Sequence, residues 1–214
     1  MTTSPSTPVP PPRPSTLLDM AGAPRHPSPW DAAALVLIDC QVEYRSGALP
    51  LAGIDEAVAE AARLLGIARR AGTPVIHIVH HGRKGGGGLF DPDGPNAAIL
   101  PAVAPRAGEP VLPKGLPNAF AGTALEARLR ETGRRELILA GFMTHMCISS
   151  TARAALDLGY RTTVVAGATA TRDLPDPIGP GTVPAADVQR AALAALADRF
   201  AVVVPDSGVW TMQK

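Results

Sequence analysis

ELILAGFMTHMCISSTARAALDLGYRTTVVAG, residues 136–167, reads as strand, helix, strand. ELILAGF (136–142) is a near-continuous apolar run, the pattern of a strand buried on both faces rather than one. The segment from Cys147 to Leu158 has the composition of a helix, and Gly159 stops it. RTTVVAG (161–167) is a second strand. Two buried strands joined by one helix through short connections make a parallel βαβ unit.

The same unit recurs outward from it. AALVLID (33–39) is an apolar run that ends on an acid. From Ile54 to Ala71 the residues Val58, Ala61, Ala62 and Leu65 recur at helical spacing, with Gly72 just past the end. PVIHIVH (74–80) and EPVLPK (109–114) are strands, and Thr123 to Thr132 is a helix that follows the turn residues Ala121-Gly122. Ala185 to Arg199 is the last helix and FAVVVP (200–205) the sixth strand. This alternation predicts an α/β fold with three α/β/α layers around a six-stranded, mostly parallel, Rossmann-like sheet. GRKGGGG (82–88) opens a long irregular stretch. It lacks the Gly-Lys-Ser/Thr ending and immediate helix of a phosphate loop, and reads as a flexible loop over a pocket or at a subunit contact.

Composition bounds the possibilities. The 214 residues suffice for one domain with a sizeable core. Apolar residues are 46% and charged residues 18%, as in an ordinary globular protein; only 4% are aromatic, so Ala, Val, Leu and Ile must fill the core. A formal net charge of +1 gives no bulk attraction for nucleic acid or a membrane surface. Two cysteines, Cys40 and Cys147, are too few for a secreted disulfide scaffold, and the expected location is cytoplasmic. No apolar run approaches a membrane span, and no basic segment followed by an apolar core marks a secretory signal. Residues 1–29 are rich in Pro, Ser and Thr and read as a flexible tail, leaving 30–214 as the folded domain.

The reactive side chains gather at strand ends. Asp39 closes the first strand, Lys114 closes the third, and Cys147 follows the fourth at the start of a helix. In an open parallel sheet all strand C-termini lie along one edge, where ligands bind. A helix N-terminus and a nearby lysine both favour a thiolate. An aspartate can take the thiol proton and return it to a leaving amine, while amides near the helix start stabilise an oxyanion.

Three ordered motifs carry a family resemblance: LIDCQ with Asp39 and Gln41, PKGLPNAF with Lys114 and Phe120, and GFMTHMCISSTARAALDLGY with Cys147. From about Ala33 to Trp210 the sequence resembles the isochorismatase-like cysteine hydrolases, relatives of nicotinamidases and N-carbamoylsarcosine amidohydrolases. The resemblance implies an Asp–Lys–Cys triad at Asp39, Lys114 and Cys147. It also implies a cis peptide bond between Phe142 and Met143, with an oxyanion hole from the Met143 and Cys147 amides. The implied activity is hydrolysis of a C–N bond in a small carboxamide, ureido or lactam substrate through a thioester. No cofactor is expected, and a homo-oligomer (dimer or tetramer) is.

Gln41, Tyr44, His81, Phe120, Thr144 and His145 are the expected substrate contacts. The Asp-Trp-His-Pro segment that binds metal in nicotinamidases is absent. His77, His80 and His81 cluster at that place, but His77 and His80 point to opposite faces of a strand, so no metal is expected and His80 or His81 reaches the pocket instead. Arg172 and Asp173 follow the fifth strand and read as a salt bridge. Two rival readings stand beside the amidohydrolase. One is an isochorismatase-type vinyl-ether hydrolase using Asp39 and Lys114; the other is a non-catalytic binding or scaffold subunit of a biosynthetic pathway.

Overall fold

A computed structural model of the protein describes residues 13–211. In chain order its regular elements are α1 (Leu17–Met20), β1 (Ala33–Ile38), α2 (Glu43–Ser46), α3 (Ile54–Arg70), β2 (Val75–His80), β3 (Val111–Lys114), α4 (Leu125–Thr132) and β4 (Glu136–Phe142). A π-helical turn (Thr144–Ile148) then leads into α5 (Ser149–Asp157), followed by β5 (Arg161–Ala170), β6 (Leu174–Pro175), β7 (Thr182–Val183), α6 (Ala185–Arg199) and β8 (Val202–Val204).

Six strands form one sheet in the order β3-β2-β1-β4-β5-β8, and every pair in it is parallel. The order reverses between β1 and β4, where the chain winds first to one side and then to the other. That reversal opens a crevice above the strand C-termini. β6 and β7 make a separate antiparallel pair.

The period of two along β1 builds both core layers. Ala33, Leu35 and Leu37 pack with α3, while Ala34, Val36 and Ile38 pack with α4, α5 and α6. All six are essentially inaccessible, and burying each Leu, Ile or Val contributes roughly 1.5–3 kcal/mol. α3 turns Ala57, Val58, Ala61, Leu64, Leu65 and Ala68 inward. Its first turn carries Asp55 and Glu56 and its last turn Arg69 and Arg70, charges that complement the helix dipole. Gly72, at φ +68°, then lets Thr73 N–H return to Ala68 O, a turn that favours glycine.

Among the boundaries that differ from the sequence expectation, two change the fold most. β5 runs three residues past Gly167 to Ala170, with a register shift against β4 between Leu139 and Gly141. Residues 1–12 of the expected tail lie outside the described residues, but 13–29 lie against the domain. Thr16 and Asp19 form a capping box on α1, whose Leu17 N–H donates to Asp198 Oδ1. Ser28 is buried: its N–H donates to Thr163 Oγ1 at 2.8 Å, and its carbonyl accepts from Trp210 Nε1 at 2.9 Å. These partners come from elements more than a hundred residues away, which tail composition cannot reveal.

Candidate active site

β1 ends at Ile38, and the next residue, Asp39, has φ +53°. A non-glycine residue in this left-handed region is strained, and such strain concentrates at functional sites. β4 approaches β1 closely here, because Ile38 pairs with Gly141. Gly141 has φ +119°, and a Cβ on it would sit 2.0 Å from Ile38 O, so this position excludes any side chain. On the other side of β1, β2 pairs with β3 in a register that sets His80 beside Lys114. The sheet thus delivers Asp39, Lys114, His80 and the segment after Phe142 to one edge.

The side chains meet there in a buried cluster. Lys114 Nζ lies 2.7 Å from Asp39 Oδ2, with both side chains sealed from solvent. This is a charge contact without hydrogen-bond alignment, and neither Asp39 oxygen has a hydrogen-bond partner among the described residues. Lys114 Nζ donates to Cys147 Sγ at 3.2 Å and approaches His80 Nδ1 at 3.3 Å. Desolvation raises the Asp39 pKa from 3.8 to about 6, although the Lys114 charge pulls it down.

Cys147 departs from the expectation in two ways. The helix begins three residues earlier, at Thr144, with a π-helical turn in which Ile148 N–H donates to Met143 O at 3.2 Å. Cys147 therefore lies inside the turn rather than at the helix start. Its thiol is also not a favoured thiolate. Burial, and then the Asp39 charge, push its pKa up to about 12, outweighing the Lys114 contribution. The resting group is a thiol beside a carboxylate of raised basicity. The peptide bond between Phe142 and Met143 is cis.

The expected substrate contacts divide. Tyr44 is buried and its ring packs edge-on against Phe90 (5.1 Å) and Phe142 (6.0 Å). Burial, then the charges of Asp39 and Cys147, raise its pKa, which locates it beside the cluster. His145 is half-buried two residues before Cys147, with Nδ1 2.6 Å from Thr171 Oγ1.

Gln41 is turned to the backbone. Its Oε1 accepts from His80 N–H (2.8 Å) and its Nε2 donates to the carbonyls of His80 and Ala97 (3.0 and 2.8 Å), so a fully buried amide is spent on backbone. Thr144 is likewise buried, donating to Ala170 O at 3.1 Å and tying the π-helical turn to β5. Phe120 stacks on Tyr160, the residue just before β5, and packs into the core layer of α4 to α6. That layer also holds Cys147 and Ile148. His81 donates its N–H to Lys114 O, while the imidazole at Lys114 belongs to His80.

Of His80 and His81, the β2–β3 register sets His80 beside Lys114. One neighbour, Phe90, was missed: it comes from the long irregular stretch, where it packs against Tyr44 and His80. That loop folds on Asp91, whose carboxylate accepts from Gly85, Gly87 and Asp93 N–H groups.

The expected Arg172–Asp173 salt bridge does not form. Arg172 donates to the Asp173 carbonyl, and the Asp173 carboxylate accepts from Ala185 N–H at the start of α6. Cys40 is a free buried thiol, and the described residues hold no group of three or more His, Cys, Asp and Glu suited to a metal ion. No helix among them is long and apolar enough to cross a membrane.

Comparison with known proteins places this edge in a wider context. Residues 33–206 match the Isochorismatase domain model. A crystal structure of an isochorismatase from Pseudomonas putida is 46% identical, covers 90% of this chain and 97% of its own, and superposes with a TM-score of 0.85. A secreted isochorismatase effector of Verticillium dahliae is 33% identical over 91% of this chain and 99% of its own. A maleamate amidohydrolase of Pseudomonas putida is 37% identical over 62% of this chain and 69% of its own.

Proposed function

The chain belongs to the isochorismatase family, and on that premise we propose that it is a cysteine hydrolase cleaving a C–N bond of a small carboxamide, ureido or lactam substrate. The observation that carries the reading is the single buried contact set around Lys114 Nζ, with Asp39 Oδ2 at 2.7 Å and Cys147 Sγ at 3.2 Å. A buried ion pair set against a thiol is costly to keep, and a thiol, a base and a cation are the parts that acyl transfer to sulfur needs.

Each group has a step. Asp39 takes the Cys147 proton as Sγ attacks the substrate carbonyl carbon. The carbonyl electron pair moves to oxygen, where the Met143 and Cys147 N–H groups stabilise the oxyanion. The carbonyl re-forms as the C–N bond breaks, and Asp39 returns the proton to the leaving nitrogen, which departs as ammonia or amine. Water then attacks the thioester, giving a proton to Asp39. The C–S bond breaks to release the acid, and that proton returns to sulfur. Lys114 keeps Asp39 and the forming thiolate in place by charge.

The raised thiol pKa supports this order. A Cys147 that rests as a thiol needs a local base at the moment of attack, and desolvation makes Asp39 more basic than an ordinary carboxylate. The test is ammonia or amine release from a panel of small amides, ureas and lactams. Turnover of at least one class by the wild type and its loss in Cys147→Ala is expected; full retention by the variant contradicts the proposal. The names of two relatives favour a second reading, vinyl-ether hydrolysis by Asp39 and Lys114. Isochorismate turnover that survives Cys147→Ala would establish it.

A further inference from the structure

His80 is a second polar group on the cluster, and its surroundings fix its chemistry. Lys114 can only donate, because an ammonium has no acceptor. The 3.3 Å contact between Lys114 Nζ and His80 Nδ1 therefore makes Nδ1 the acceptor, and the ring proton resides on Nε2. Lys114 has three protons, and Asp39, Cys147 and His80 stand around them.

His80 Nε2 is different. It makes no hydrogen bond with any described residue, yet it is not sealed away as a buried unpaired atom. The ring is held from the side by Phe90, with centroids 5.1 Å apart, and its backbone N–H and carbonyl are both clamped by the Gln41 amide. Burial, and then the Lys114 charge beside it, keep the imidazole neutral, with its pKa lowered to about 4. A rigid ring of fixed tautomer, in contact with the Lys114 ammonium that touches Cys147, thus presents one neutral N–H donor on its far side.

We propose that His80 is a substrate-binding residue whose Nε2–H donates to a second oxygen of the substrate, one carried on the acyl side apart from the scissile carbonyl. The preferred class is then an amide whose acyl chain bears a further carbonyl or carboxylate, rather than a simple aliphatic amide. The inference rests on the amidohydrolase reading for the identity of the pocket, and extends it from reaction type to substrate class.

The test separates the two sides of the ring. His80→Asn keeps an acceptor where Nδ1 stood but loses the distal donor. His80→Gln keeps a distal N–H but loses the acceptor toward Lys114. Both are made in a Cys147→Ala background, so that binding is read without turnover. Two probes of similar shape are compared: succinamate, with a second acceptor, and isocaproamide, without one.

Succinamate affinity is expected to fall tenfold or more with His80→Asn and less than threefold with His80→Gln. Isocaproamide affinity is expected to stay within about twofold in both. Nitrogen-15 NMR of the imidazole in the otherwise unchanged protein is expected to show the Nε2–H tautomer, with that resonance moving when succinamate is added. Equal losses on both probes, a Nδ1–H tautomer, or an Nε2–H unmoved by succinamate would overturn the proposal. Because none of these readouts needs a reactive Cys147, they stand or fall separately from the covalent mechanism.

Discussion

Replacing Asp39 by Asn keeps the shape of the side chain and removes its titration. In the native protein burial raises this carboxyl from 3.8 to about 6. A folded-state pKa above the unfolded value means that protonation favours folding. The contribution is fully present below pH 3.8 and is lost as pH rises through about 6. A gap of about two pKa units corresponds to about 3 kcal/mol, of which about 2 kcal/mol falls between about pH 4.5 and pH 8. His80 acts in the opposite direction in the same window, because its pKa is lowered to about 4 and its contribution is lost on acidification. The informative quantity is therefore the stability of Asp39→Asn minus that of wild type, measured by urea unfolding at both pH values. That difference is expected to rise by about 2 kcal/mol from the acid to the neutral condition, a relative melting shift of about 4–8 °C for a chain of this size. A difference that is flat with pH means that the Lys114 charge cancels the desolvation of the carboxylate, and one that falls means that it outweighs it; either result contradicts the raised Asp39 pKa.

Two further outcomes follow from the same geometry. Gly141→Ala places a Cβ 2.0 Å from Ile38 O at φ +119°, where neither backbone can yield cheaply. It is expected to cost more than about 4 kcal/mol and leave little folded protein, as circular dichroism and solubility would show; a variant of wild-type melting temperature would contradict the β1–β4 approach. Asp39 must be ionised to accept the thiol proton, so kcat/KM is expected to fall on acidification with a midpoint near 6. A pH–rate profile whose acid limb lies near 4, the range of an ordinary carboxylate, would remove Asp39 as the base.

The sheet was legible because its central strands are buried on both faces. AALVLI and ELILAGF can only be read one way once their length is compared with that of a helix. The gathering of Asp39, Lys114 and Cys147 was legible for a topological reason: parallel strands place all their C-termini on one edge. What stayed hidden depends on burial and partners rather than on residue type. Gln41 and Thr144 looked like pocket residues, yet both are spent on backbone groups. Phe120 looked like a wall and packs on Tyr160. The thiol was expected to be acidic from its helix and its lysine, and desolvation reverses the sign. His77, His80 and His81 are chemically alike in the sequence, and only the β2–β3 register singles out His80 as the neighbour of Lys114. The docking of residues 13–29 turns on Thr163, Asp198 and Trp210, far along the chain.

The central claim is a covalent bond to sulfur. Wild-type protein mixed with a turned-over amide, quenched in acid and analysed by intact mass and peptide mapping, tests it most directly. An added acyl mass is expected on the peptide containing Cys147, absent from Cys147→Ala and removed by hydroxylamine. Turnover of the same amide with no acyl adduct on Cys147 under single-turnover conditions, and no loss of rate in Cys147→Ala, would contradict it.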